Sequence, residues 1–339
     1  MISRERRLAR CLLIGLPLLV VGSILAGIVL GPTSIPVRSA LLSLFGSSDE
    51  TIPVVHRVIA TQIRLPRVLL GLLVGSALAV SGTAMQGVFR NPLASPYVLG
   101  IASGASTGAA LAILFASGLS FVLPAGAFVG AILAVSIVYG LARGRDRRTS
   151  IFTLILAGVA VGALFSAVTS FLIFLSSGGE KLSDVLFWIM GGLGRSSWTS
   201  LAILAPIVVI GLAIVCIFAR DLNALSLGEE GAQHVGVSPV ALTRWLLGLT
   251  TILTAAAVAL AGTIGFVGLV IPHVMRLLVG PDHRRLIPVS ALAGGCFLVW
   301  SDIVARTIVA PAELPVGVIT AFLGAPFFLY LLKTRGAKL

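Results

Sequence analysis

The sequence predicts an all-α, polytopic membrane protein with about ten transmembrane helices, and three observations predict it. Of 339 residues, 58% are hydrophobic and only 11% are charged. A soluble domain carries roughly a quarter charged residues, so most of this surface cannot face water. Apolar runs close to the ~20 residues needed to cross a bilayer recur along the whole chain. The 38 glycines suit helices that approach closely in lipid.

The first span is expected at about 11–30, behind the basic start MISRERRLAR. Its apolar run is too long for a secretory h-region, and no small-x-small cleavage site follows, so it reads as a retained span. A polar stretch with Pro32, Pro36, Asp49, Glu50 and Pro53 separates it from the second, at about 67–89. The third is expected at about 97–117 and the fourth at about 121–142, closed by RGRDRRTS. The fifth runs over about 151–175, and the mixed segment SSGGEKLSDVLFWIMGGLGRSSW follows. The sixth, at about 200–219, leads into the polar RDLNALSLGEEGAQHVGVSP. The last four are expected at about 241–261, 265–280, 286–305 and 316–332, the eighth being short and carrying Pro272. Residues 1–339 read as a single transmembrane domain.

Ten spans put both termini on one side. Arg38, Arg57, Arg64, Arg67, Lys181, Arg195 and Arg306 then lie opposite, and the other 17 of the 24 Lys and Arg lie with the termini. The positive-inside rule makes that side the cytoplasm. It also accounts for the net charge of +12 without nucleic acid.

Glycines recur at spacing four: Gly71/Gly75, Gly100/Gly104/Gly108, Gly126/Gly130 and Gly158/Gly162. Each set falls on one helix face, which points to close helix packing, with a backbone-lined pathway as the minor reading. Cys11, Cys216 and Cys296 sit in apolar runs without a CxxC pair and read as small fillers. His56, His234, His273 and His283 fall near span ends or in loops and read as polar surface.

The sequence has no GxxxxGK[ST] loop, no HExxH, no paired metal ligands and no GxSxG elbow. An embedded enzyme is therefore disfavoured, and neither cofactor nor metal is expected on this chain. None of the twelve acidic residues falls at the centre of a span. An ion-coupled carrier usually keeps ionisable or unwound sites near mid-depth, so energy is expected to arrive from a partner at the cytoplasmic face.

Four blocks carry a resemblance. They are RLPRVLLGLLVGSALAVSGTAMQGVFRNPLASPYVLGIASGAS from Arg64, GEEGAQHVGVSP from Gly228, AGTIGFVGLVIPHVMRLLVGPDHR from Ala261, and SDIVARTIVAPAELPVGVITAFLGAPFFLYLL from Ser301. In this order, over about residues 55–335, they resemble the FecCD family of ABC importer permeases, which serve vitamin B12, haem and ferric siderophores. The resemblance implies a type II importer fold. A second copy of the chain would complete the path, two cytoplasmic ATPases carrying ATP and Mg would dock beneath, and an extracytoplasmic binding protein would deliver the ligand. An iron chelate, siderophore or haem, is the first expectation and cobalamin the second. The expected location is the inner membrane.

The resemblance assigns three patches. The segment at about 221–239 would couple to the ATPase through Glu229, Glu230, Gly231, Ala232 and Gly236. Arg64 and Arg67 of the RLPR motif and Arg306 of DIVAR would receive acidic residues of the binding protein, since arginine forms bidentate pairs with carboxylates. For Arg306 a local alternative exists: Asp302 lies four residues earlier and Glu313 is nearby. Leu156, Val159, Ala160, Ala163, Ser166 and Thr169 on the fifth span would line the path, ordinary packing being the alternative for each. NPLASPYVLG, from Asn91 to Gly100, is expected to be partly non-helical and to help form the gate.

Overall fold

The computed structural model describes residues 2–44, 53–116, 121–143, 151–176 and 179–335. Asp49, Glu50 and most of RGRDRRTS fall outside the described residues, as does the end of the closing basic tail. The fold is all-helical.

Helix α1 spans Ile2–Val29, and the short α2 (Val37–Leu44) follows the polar turn. α3 (Val54–Val58) runs through a π-helical stretch at Ile59–Arg64 into α4 (Leu65–Val88). Pro66 explains the widened turn. It cannot donate to the carbonyl four residues back and its ring crowds that carbonyl, so Leu65 N–H bonds to Ala60 O, five residues back. After a 3₁₀ turn at Pro96–Leu99 come α5 (Ile101–Phe115), α6 (Val122–Ala142) and α7 (Ile151–Leu175). The mixed segment forms α8 (Glu180–Met190), followed by α9 (Trp198–Ile217). The polar stretch folds into two short helices, α10 (Ala219–Leu225) and α11 (Glu229–His234). α12 (Pro239–Ala261), α13 (Val267–Val279), α14 (His283–Thr307) and α15 (Val316–Arg335) complete the chain.

Each of the ten expected spans meets one apolar helix. Six membrane-length apolar helices are Val54–Val88, Val122–Ala142, Ile151–Leu175, Trp198–Ile217, Pro239–Ala261 and His283–Thr307. Shorter apolar helices, Ile14–Val29, Ile101–Phe115, Val267–Val279 and Val316–Tyr330, supply the rest.

Helix α4 is the axis of the molecule. Its apolar window is 78% buried, against 22% for α7 and for α9, and it packs on α9, α12, α13 and α14. The spaced glycines work as close-packing faces. A Cβ added to Gly108 would sit 2.0 Å from Gly126 O, and one on Gly104 would sit 2.4 Å from Gly130 O. These paired approaches let α5 and α6 touch backbone to backbone in antiparallel register.

Two shorter helices begin inside the bundle. α13 has 13 residues, about 20 Å of helix, too short for a ~30 Å hydrocarbon core. Its first turn abuts the middle of α4, where a Cβ on Gly268 would lie 2.7 Å from Leu78 O. α5 likewise begins deep, with Val98 O 2.0 Å from a Cβ placed on Gly158 of α7. The backbone before each is non-helical, as expected for NPLASPYVLG. The two stretches cover each other, with Tyr97 Oη donating to Ile264 O at 2.9 Å. Protein thus shields irregular backbone where lipid could not.

Candidate functional site

Chemistry-bearing side chains collect at the two ends of α4. At its start, Arg67 is 7% exposed and sits between two carboxylates. Its Nη2 donates to Asp302 Oδ1 at 2.8 Å, and its Nε to the same carboxylate at 3.0 and 3.1 Å. Its Nη1 donates to Glu313 Oε2 at 2.8 Å and Oε1 at 3.1 Å. Toward the buried Asp302 the geometry is a bidentate fork, and toward the partly exposed Glu313 a single nitrogen spans both oxygens.

Arg306 is 2% exposed. Its Nε lies 3.5 Å from Asp302 Oδ2, an ion pair without hydrogen-bond geometry, while its Nη2 donates to Gly27 O at 2.6 Å. Arg64 turns to the end of α1. Its Nη1 donates to Ile28 O at 2.8 Å and Val29 O at 2.9 Å, and its Nη2 to Thr33 O. The last carbonyls of a helix have no partner within it, so a buried guanidinium caps them and finds its own acceptors at once. Gly31 makes room, since a Cβ there would lie 2.5 Å from Arg64 Nη2.

These are the three arginines expected to wait for a binding protein. The structure buries all of them and gives each an acceptor inside the chain. The Asp302 partner named as the local alternative for Arg306 is present, while Glu313 pairs with Arg67. A cavity of about 740 Å³ opens beside the cluster, lined among others by Arg67, Lys181, Asp184, Trp188, Arg195 and Glu313. Arg67 is the one of the three that lines it.

At the other end of α4, α10 and α11 form a ledge. Asn223 fixes it. Its Nδ2 donates to Asp282 Oδ1 at 2.7 Å, and its Oδ1 accepts from His283 N at 2.9 Å and lies 2.9 Å from His283 Nδ1. Asp282 in turn caps α14, accepting from Arg284 N at 3.1 Å. Burial pushes the Asp282 carboxyl up. The Asn223 amide, the Arg284 N–H and the charges of Arg285 and Arg284 outweigh it, and the group lies below the ordinary aspartate value. Leu222 packs under α4, 2.8 Å from a Cβ placed on Gly87.

The ledge sorts the expected coupling residues. Glu229 and Glu230 are exposed in the first turn of α11, where a helix favours negative charge. Gly236 is exposed with φ 85°, a conformation that glycine supplies cheaply. Ala232 departs from expectation. It is 0% exposed and packs into the core, anchoring α11 by its inward face.

The sequence reading missed Leu227 and Val235, exposed at 69% and 61% on either side of α11. Two apolar residues bracketing an acidic turn within a polar connector were the available signal. It also missed Asn223, whose partners lie 59 and 60 positions away. His273 and His283, read as polar surface, are buried at 8% and 4%.

On α7, Leu156, Val159, Ala160, Ala163 and Ser166 are exposed. Thr169 is not. It donates to Phe165 O at 2.9 Å and lies 2.7 Å from Thr107 Oγ1 of α5, so it is a packing residue between helices.

A family model described as the FecCD transport family matches residues 9–334. The chain belongs to the FecCD transport family. Over 287 residues it is 48% identical to the cobalamin import system permease protein BtuC of Halobacterium salinarum, covering 85% of this chain and 76% of that one. It is 44% identical over 276 residues to the hemin transport system permease protein HmuU of Yersinia pestis, covering 80% and 82%. A solved structure of a metal-chelate type ABC transporter in an inward-facing conformation superposes with a TM-score of 0.83. It is 35% identical and covers 95% of this chain and 98% of that one. This FecCD chain is thus an integral membrane permease subunit of an ABC importer.

Proposed function

We propose that this permease imports an iron chelate, siderophore or haem, handed to it by an extracytoplasmic binding protein and driven by cytoplasmic ATPases. The observation that carries the reading is the α10–α11 ledge. Glu229, Glu230, Leu227 and Val235 project from a segment that Asn223, Leu222 and Ala232 pin to the bundle. A rigidly held, outward-facing turn of mixed apolar and acidic character suits a separate protein that pushes on it. The basic asymmetry of the sequence supports a cytoplasmic side for that ledge and both termini. Two copies would enclose the path between them, with the exposed α7 residues Leu156, Val159, Ala160, Ala163 and Ser166 toward it.

Docking of the binding protein is proposed at the Arg67 end, in narrower form than the motif suggested. Arg67 would meet an incoming carboxylate across the cavity. Arg64 and Arg306 would hold the frame by tying α1 to α4 and α14. Selectivity would reside in the binding protein, because Leu, Val, Ala and Ser offer few groups to read a ligand.

A second reading has its own support: the Halobacterium salinarum relative at 48% identity is named for cobalamin. Proteoliposomes holding the permease, its co-purifying ATPase and binding protein decide between them. ATP-dependent uptake of haem or a ferric siderophore in preference to cobalamin is expected. Preference for cobalamin would select the second reading, and uptake without any ATPase would sink both.

A further inference from the structure

We infer that Arg90 is a second, basic contact for the nucleotide-hydrolysing partner, set beside the acidic turn of α11 and meeting a carboxylate on that partner. The inference rests on the reading of α10–α11 as the coupling ledge.

Arg90 ends α4 in a Schellman turn. Asn91 N donates to Gln86 O at 3.1 Å and Arg90 N to Gly87 O at 3.2 Å. That motif places its penultimate residue in the left-handed region, where glycine is the usual occupant. Arg90 has φ 49° there, one of two non-glycine residues with positive φ among the described residues. The chain after it is fixed by an Asx turn, with Leu93 N donating to Asn91 Oδ1 at 2.8 Å, so the conformation belongs to the backbone and not to the arginine. A long β-carbon side chain in this region is strained, and such strain collects where a side chain acts on something.

Among the described residues the side chain has no partner to justify that strain. It is exposed and makes no hydrogen bond or ion pair among the described residues. Its Nη1 lies 3.8 Å from where a Cβ on Gly228 would stand, and Gly228 caps α11 immediately before Glu229 and Glu230. A cation and two carboxylates therefore lie side by side on one ledge, unpaired with each other. A partner surface of matching pattern, acidic opposite Arg90 and basic opposite Glu229 and Glu230, could dock in one register only. The position also argues against a lipid headgroup. α4 is enclosed by α9, α12, α13 and α14, and Val88 and Phe89 just before Arg90 are buried, so the arginine emerges at the middle of the cytoplasmic face.

The test uses the tagged full-length permease purified from its host, together with the nucleotidase that co-purifies with it. Arg90→Gly removes the cation and relaxes the backbone, so contact and capping roles predict opposite signs. The expected result is a melting temperature no lower than wild type with affinity for the nucleotidase reduced about tenfold or more, as for a lost charge-assisted bond. Arg90→Glu should bind more weakly still. Unchanged affinity for Arg90→Gly would overturn the inference, as would a fall in melting temperature that accompanies the loss. Rescue by phosphatidylglycerol vesicles would reassign the contact to lipid and overturn it too. Leu227→Glu separates the layers. If it abolishes binding while Arg90→Gly does not, only the Arg90 contact falls. If Leu227→Glu also binds normally, the coupling reading falls and takes the contact with it.

Discussion

The two ends of α4 carry similar charge chemistry and put it to opposite uses. At the Arg67 end, three arginines and two carboxylates close on one another and on the last carbonyls of α1. At the α11 end, Arg90, Glu229 and Glu230 lie close together and reach outward. The difference is burial. A buried guanidinium needs acceptors close by, so the first cluster locks α1, α4 and α14 together, with Arg67 alone of the three arginines at the cavity. Exposed charges gain little from pairing with neighbours and stay available to something else. Charge in a motif therefore marks a place of consequence without saying whether its partner is inside or outside the molecule.

The largest expected effect tests the lock. Asp302→Ala takes the buried carboxylate from Arg67 and Arg306 at once, since Asp302 serves both. Breaking a buried pair costs about 3–5 kcal/mol. The purified variant should melt far below wild type in the same detergent, and an unchanged melting curve would mean that water reaches the cluster. Arg64→Met is next. It removes the cap on Ile28 O and Val29 O while keeping most of the volume, and a loss of about 1.5–3 kcal/mol is expected for a charged hydrogen-bonding group. Protease should then cut first in the α1–α2 connection; cutting elsewhere first would refute the capping role.

Most of the helices were legible in the sequence because membrane burial leaves a coarse mark. Runs such as 151–175 and 200–219 need no tertiary information to be recognised. The glycine pairs were legible for the same reason: Gly104/Gly108 and Gly126/Gly130 mark faces, and faces pack. The lock was only half legible. Spacing of four exposes the Arg306–Asp302 pair, but Arg67 and Asp302 are 235 residues apart. Nothing local says that α4 and α14 lie side by side. Ala232 and Thr169 were misplaced for a related reason. A small or hydroxyl residue, whether on the short α11 or on the uniformly apolar α7, reads equally well toward a partner or toward the core, and only the packing of neighbouring helices decides.

The ledge offers the contrasting measurement. Asn223→Ala removes bonds to Asp282 and to His283 N and should cost about 1–3 kcal/mol, seen as a lower melting temperature together with weaker ATPase co-purification. Glu229→Ala and Glu230→Ala should separate the two effects. Their stability should stay within about 0.5 kcal/mol of wild type, as for exposed residues away from structural features, while ATPase binding falls. Loss of stability in the glutamate variants would erase the distinction between the two ends of α4.

The smallest effect is one of pH. Asp282 has a folded value below its ordinary one, so its contribution is fully present above about pH 4, the unfolded aspartate range. It is lost as pH falls through the lower folded value. Asp282→Asn cannot titrate and keeps an oxygen for Arg284 N–H, so the variant should start less stable at neutral pH and lose less on acidification. The expected record is two melting profiles that converge toward low pH. Profiles that stay parallel from pH 6 downward would mean that Asn223 and the α14 cap are held by geometry alone, and that charge at this end of α4 serves only the partner.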